Sequence, residues 1–235
     1  MKNLNKETVK RKGIYLLPNL LTTAGLFSGF YAVVASMNAK FEVAAIAVLI
    51  AMVFDGLDGH IARMTNTESQ FGAEYDSMAD MVSFGVAPAL IVYNWALVEL
   101  GKFGWLAAFI YCAGAALRLA RFNTQVGIAD KRYFQGLASP AAAAVIAGSI
   151  WLGSQNNIDA SKVSWLTALI TILLGLLMVS NFRYLSFKDI DWRSRVNFLA
   201  ILAFVGVLVF VSIEPALILC LLSFIYALSG PLITI

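Results

Sequence analysis

The chain has 235 residues, 60% of them hydrophobic and 13% charged, and a formal net charge of +3. A water-soluble domain cannot hide that much apolar surface, so a soluble globule is excluded and the bilayer is the expected solvent. No polar linker divides the chain, which is read as one membrane domain over residues 1–235 with no nucleic-acid partner.

The first 15 residues carry Lys2, Lys6, Lys10, Arg11 and Lys12, a basic segment expected in the cytoplasm or along the membrane surface. The apolar run that follows starts near Pro18-Asn19 and extends to about Met37, too long for the core of a cleaved signal. At about 1.5 Å rise per residue, a span needs roughly 20 apolar residues. Such runs are predicted at 16–37, 41–63, 77–98, 104–122, 137–154, 163–182, 196–213 and 215–233. The expected fold is therefore all-α, a polytopic transmembrane helix bundle of about eight spans. With the N-terminus in the cytoplasm, 14 of the 17 lysines and arginines fall on that side, and only Lys40, Lys102 and Lys162 on the other. Basic residues favour the cytoplasmic side, so both termini are expected there. Cys112 and Cys220 lie inside apolar runs without metal-ligand spacing and are read as packing residues.

Acidic side chains in spanning helices cost roughly 2.5–3.5 kcal/mol each at the bilayer centre on insertion scales. Yet Asp55, Asp58, Asp76 and Asp80 sit in or beside the second and third runs. They belong to Asp55-Gly-Leu-Asp58-Gly59-His60-Ile-Ala62-Arg63 and, eight residues on, Gly72-Ala-Glu-Tyr-Asp76-Ser-Met-Ala-Asp80. At about 100° per residue, Asp55 and Asp58 share a helix face with Gly59 and Ala62. His60 points elsewhere and is read as a packing or interfacial residue. Gly72, Asp76, Asp80, Ser83 and Ala87 share one face of the next helix. The short connection predicts antiparallel neighbours whose small-residue faces approach closely around four carboxylates near the cytoplasmic surface. Four such anions beside Arg63 repel one another, and divalent cations relieve the repulsion. Oxygen-only ligands select hard ions, Mg²⁺, Mn²⁺ or Ca²⁺ rather than zinc. Two such ions suit phosphoryl chemistry at a diphosphate. Capping and solvation account for Glu68 and Glu74, but not for four aspartates on matched faces.

These residues fit the pattern D-x2-D-G-x2-A-R-x8-G-x3-D-x3-D at every fixed position, and the chain thereby resembles the CDP-alcohol phosphatidyltransferase family. The resemblance implies that Asp55, Asp58 and Asp76 hold two divalent cations, and that Asp80 reaches the same metal site and acts as general base. It implies that Gly59 meets the CDP-lipid by close approach, that Arg63 pairs with its phosphate, and that Ser69 offers a hydroxyl to the CDP part. Gly72 is expected to keep the second helix close. A homodimer in a bacterial inner membrane, with its active site facing the cytoplasm, also follows from the resemblance. Direct displacement is expected, because no cysteine, histidine or serine is placed as a covalent nucleophile. Asn19 and Thr22, at the start of the first span, are candidates to line the nucleotide pocket or plain helix caps.

Further stretches are similar to membrane-integrated phosphatidylserine synthases: Asp80-Met-Val-Ser-Phe-Gly-Val-Ala-Pro88, Leu117-Arg118-Leu-Ala-Arg121-Phe122-Asn123, Phe134-Gln-Gly136-Leu-Ala-Ser-Pro140 and Leu17-Pro18-Asn19-Leu-Leu-Thr22. This likeness implies CDP-diacylglycerol as donor and L-serine as acceptor, with phosphatidylserine and CMP as products. Ala138 departs from the pattern, which has proline before Ser139-Pro140, and leaves the local loop shape open. An arginine fork suits the serine carboxylate, which makes Arg118 and Arg121 candidates, although orientation charges explain both as well. Asn123 either holds the amino acid or caps its helix. Arg183, Tyr184 and Lys188 are read as anionic-headgroup contacts or topology charges. Two readings compete: the same chemistry with glycerol 3-phosphate or inositol, and a divalent cation transporter. The transporter leaves Gly59, Ala62, Arg63 and Gly72 unexplained.

Overall fold

The computed structural model describes residues 2–65, 67–125, 133–185 and 213–234. In chain order come α1 (Lys2–Met37), α2 (Phe41–Thr65), α3 (Gln70–Asp80), a π-helical stretch (Met81–Val86) and α4 (Ala87–Val92). A second π-helical stretch (Tyr93–Leu97) and a 3-10 turn (Val98–Leu100) lead to α5 (Lys102–Gln125), α6 (Ser139–Gln155), α7 (Ala160–Val179) and α8 (Pro215–Thr234). Five described segments are long and apolar enough to cross a membrane: Leu16–Met37, Gln70–Leu100, Lys102–Thr124, Ala160–Val179 and Pro215–Thr234. Seven of the predicted runs correspond to helices. The run at 196–213 lies outside the described residues.

The packing follows membrane rules. Small residues such as Ala32, Ala35, Ala44, Ala45 and Ala51 are buried, while Phe27, Phe30, Trp105, Phe109 and Leu166 are exposed on the outside. Apolar lipid gives large side chains no reason to hide, whereas small ones let helix backbones approach. Gly114 of α5 meets Gly175 of α7 so closely that a side chain on the first would run into the carbonyl of the second. Between α1 and α2 the seam is tightened by Ser28, whose Oγ donates to the Ala47 carbonyl at 2.8 Å.

The basic N-terminal segment continues into the first span, α1 running without a break from Lys2 through Pro18 to Met37. Two expectations change. The third helix starts at Gln70 rather than 77, with Ser69 as its N-cap. The fold also contains a short ribbon, in which β1 (Tyr133–Gln135) pairs antiparallel with β2 (Arg183–Leu185) and Phe134 stands opposite Tyr184. Gly136 follows β1 at φ +77°, where a side chain would strike the Met178 carbonyl, so this turn requires glycine. The ribbon therefore sits against the end of α7.

Tyr184 is a packing residue rather than a headgroup contact. It is fully buried against Gly230 and donates to the Ala227 carbonyl at 2.9 Å. Lys188 lies outside the described residues. Ala138 takes φ −63° and ψ 134°, a conformation that proline itself adopts, so the expected loop shape survives without the ring. Cys112 and Cys220 are free thiols.

Candidate active site

α2 carries Asp55 and Asp58, and α3 carries Asp76 and Asp80 at its C-terminal end. One carboxylate oxygen from each of Asp55, Asp76 and Asp80 lies within 4.8 Å of the others. These acids line a small cavity of about 10 Å³, the space of one water or one ion, together with Asp58, Thr22, Gly25 and Ser83. Asp58 is not part of the trio. It is 4% exposed and accepts a hydrogen bond from Thr22 Oγ1 at 2.5 Å.

The close approach expected between α2 and the next helix is made by the π-helical stretch Met81–Val86 and α4, which pack against α2, rather than by α3 itself, and α1 packs against both α2 and α3. A side chain on Gly59 or Gly56 would meet nothing within 4 Å, so this small-residue face borders open space. Gly72 serves α1 rather than α2: a Cβ there would lie 3.4 Å from Asn19 Oδ1. Thr23 on α1 shares a 2.9 Å hydrogen bond with Tyr75 on α3. Ser83 Oγ donates to the Gly25 carbonyl at 3.2 Å, and a Cβ on Gly29 would lie within 2.8 Å of three Ser83 atoms. The first helix thus serves as the wall on which both acid-bearing helices are mounted.

This placement excludes capping as the role of Asn19 and Thr22, since both are in the middle of α1. Ser69 remains exposed, and its Oγ accepts from the Gly72 amide at 3.0 Å, which leaves the hydroxyl proton available to a ligand. Arg63 is exposed, about two turns beyond Asp55. The cation within electrostatic reach of Asp80 and Asp55 is instead Arg118 of α5. Its Nη1 donates to the buried Ser139 Oγ at 2.7 Å. His60 is exposed, in keeping with an interfacial place.

Arg118 and Arg121 do not form a fork. Arg121 turns to the end of α7, donating from Nη2 to the Val179 carbonyl at 2.8 Å and from Nη1 to the Ser180 carbonyl at 3.2 Å. Helix C-termini expose carbonyls that cations satisfy well, which accounts for this arginine without a substrate. Asn123 is committed to Ser77, with Nδ2 at 3.0 Å and Oδ1 at 3.1 Å from the serine Oγ. That bond ties the end of α5 to α3 beside Asp76. The sequence reading missed the partners Ser77, Ser139 and Thr23. Hydroxyls inside apolar runs were the available signal.

Three carboxylates at this spacing, with a fourth beside them and no nitrogen or sulfur donor in the trio, fit a hard divalent cation. The family model described as CDP-alcohol phosphatidyltransferase matches residues 15–225. A CDP-diacylglycerol–serine O-phosphatidyltransferase of Helicobacter pylori is 38% identical over 198 residues, covering 84% of this chain and 83% of the relative. A protein of the same name from Methanocaldococcus jannaschii is 38% identical over 181 residues, with 77% and 80% covered. An archaetidylserine synthase of Methanothermobacter thermautotrophicus is 34% identical over 170 residues, with 72% and 69% covered. With its acids gathered on α2 and α3 and the match extending over most of its length, the chain belongs to the CDP-alcohol phosphatidyltransferase family.

Proposed function

We propose that this protein transfers the phosphatidyl group of CDP-diacylglycerol to the hydroxyl of L-serine, giving phosphatidylserine and CMP by direct displacement. The observation that carries this reading is the trio Asp55, Asp76 and Asp80, whose oxygens lie within 4.8 Å of one another in a family of CDP-dependent phosphatidyltransferases. The relatives named for serine supply the acceptor.

Asp55, Asp76 and Asp80, with Asp58 beside them, would hold divalent cations, Mg²⁺ or Mn²⁺ with Ca²⁺ a third choice; the cavity as it stands has room for one, and a second would need the carboxylates to move apart. When bound, such ions supply charge neutralisation at the diphosphate and stabilisation of the departing CMP. Asp80 takes the proton from the serine hydroxyl as that oxygen attacks phosphorus. Arg118 offers the serine carboxylate the guanidinium N–H groups that Ser139 does not use. The open space at Gly59 admits the nucleotide end of the lipid, with Ser69, Asn19 and Arg63 along its path and Gly72 keeping Asn19 in place. Thr22 holds Asp58, so its contact with the donor is indirect. Arg121 and Asn123 position helix ends rather than serine.

The acid cluster faces the cytoplasm of a bacterial inner membrane in a bundle of eight spans with both termini cytoplasmic. The clustering of Arg63, Arg118 and Arg121 toward the same end supports that orientation. The working form is a homodimer, on family resemblance.

Purified protein in detergent, given CDP-diacylglycerol and Mn²⁺ or Mg²⁺, is expected to release CMP with serine and not with glycerol 3-phosphate or inositol. Release with either of those alone changes the acceptor. Ion flux without CMP release overturns the proposal.

A further inference from the structure

At the end of the bundle away from the acid cluster, the α1–α2 and α6–α7 connections border an open cavity of about 610 Å³, lined by Lys40, Glu42, Trp95, Ser154, Asn157 and Ile158 among others. Its rim is fixed. Ala39 and Asn157 adopt left-handed φ of 56° and 51°, the only such values outside glycine among the described residues. The two turns close alike, Lys40 N–H bonding the Ala35 carbonyl at 3.0 Å and Ile158 N–H the Gly153 carbonyl at 2.9 Å. Trp95 is seated by its ring edge on Gly153, where a Cβ would lie 2.6 Å from the indole.

Both signs of charge face this cavity. Glu42 Oε1 accepts from Trp151 Nε1 at 3.2 Å, which holds the carboxylate in place and leaves its second oxygen free to accept. Lys40, two residues earlier, makes no ion pair through its ammonium among the described residues. The flank is apolar and exposed at Val43 (40%) and Ile158 (45%), as suits a surface that meets acyl chains. A ligand matching these features carries an anion and a cation a short distance apart and has an apolar continuation.

We infer that this cavity binds the headgroup of a zwitterionic phospholipid, its phosphodiester at Lys40 and Asn157 and its primary ammonium at Glu42. Trp95 covers the headgroup, an indole placed where aromatic side chains settle at the membrane–water boundary. The site stands apart from the acid cluster and does not depend on which alcohol is the acceptor.

The test is native mass spectrometry of the detergent-solubilised full chain with equal amounts of phosphatidylethanolamine and phosphatidylglycerol of matched acyl chains. Wild type is expected to retain the zwitterionic lipid roughly threefold to fivefold over the anionic one, the scale of a pair of partly exposed ion pairs. Glu42→Gln keeps the acceptor for Trp151 and the fold, and should bring the ratio close to one. Lys40→Gln should weaken retention of both lipids. Asp55→Asn, at the other end, should leave the ratio unchanged. Equal retention by wild type, or an unaltered ratio in Glu42→Gln, overturns the inference. Loss of the preference in Asp55→Asn does so too, because the lipid would then lie at the acid cluster.

Discussion

Tyr111 donates its hydroxyl to the Phe84 carbonyl at 3.0 Å. In an unbroken α-helix that oxygen would bond the amide four residues on, but position 88 is proline and has no N–H. The same arrangement recurs in α8, where Pro231 deprives the Ala227 carbonyl of its amide and Tyr184 donates to it at 2.9 Å. Both tyrosines are fully buried. No water is at hand in a bilayer core, so each hydroxyl supplies a carbonyl there with a donor in place of the amide that proline lacks.

Tyr111→Phe should therefore remove one buried hydrogen bond and cost about 0.5–1.5 kcal/mol, read as a lower thermal midpoint in detergent. The carbonyl belongs to the π-helical stretch that begins one residue after Asp80, so turnover should fall as well. Tyr184→Phe should cost similar stability with little change in kcat. Identical kinetic profiles for the two variants would detach Tyr111 from the site.

Thr22→Val keeps the shape of the side chain and removes the 2.5 Å bond to Asp58. A hydrogen bond that orients a metal-binding carboxylate commonly contributes about 10–100-fold in metal affinity. Titration of Mn²⁺ by electron paramagnetic resonance should show a loss of that size for Val and near-normal binding for Thr22→Ser. Equal affinity in both variants would remove Thr22 from the metal site.

Arg118 and Arg121 should separate cleanly. Arg118→Ala is expected to raise the KM for serine several-fold, with a smaller effect on CDP-diacylglycerol. Arg121→Ala loses its bonds to the Val179 and Ser180 carbonyls and should lower the thermal midpoint while leaving the serine dependence intact. A serine defect in Arg121→Ala would show that the fork exists after all.

Chelation should abolish CMP release, and either Mn²⁺ or Mg²⁺ should restore it. Asp80→Asn should lower turnover by about 10²–10⁴-fold, the range of a general base, while CDP-diacylglycerol still binds. Near-normal turnover would exclude Asp80 from proton transfer.

Much of the site was legible because charge inside a membrane is conspicuous. Asp55, Asp76 and Asp80 stood out against apolar surroundings, and helical spacing placed them on matched faces. What lay hidden was which helix answers which. Periodicity reports a face but not its partner, so the helix that Gly72 admits could not be read from spacing. Gly59 borders open space, as close approach of a ligand requires, and Gly72 makes room for Asn19 of α1. The π-helical turns at Met81–Val86 were equally invisible, since apolar sequence there is compatible with either winding. Arg118 and Arg121 are three residues apart and looked equivalent. Their different fates depend on Ser139 and on the end of α7, neither of which is near in sequence.

The mounting of both acid-bearing helices on α1 has a bearing on biogenesis. The four aspartates, Thr22 and Ser83 all come from the first 83 residues of 235. During synthesis these segments leave the ribosome before Arg118 does, so the set of acids that would hold a cation is complete while the rest of the chain is still to be threaded into the bilayer. Metal scarcity would then be felt at insertion as well as at turnover.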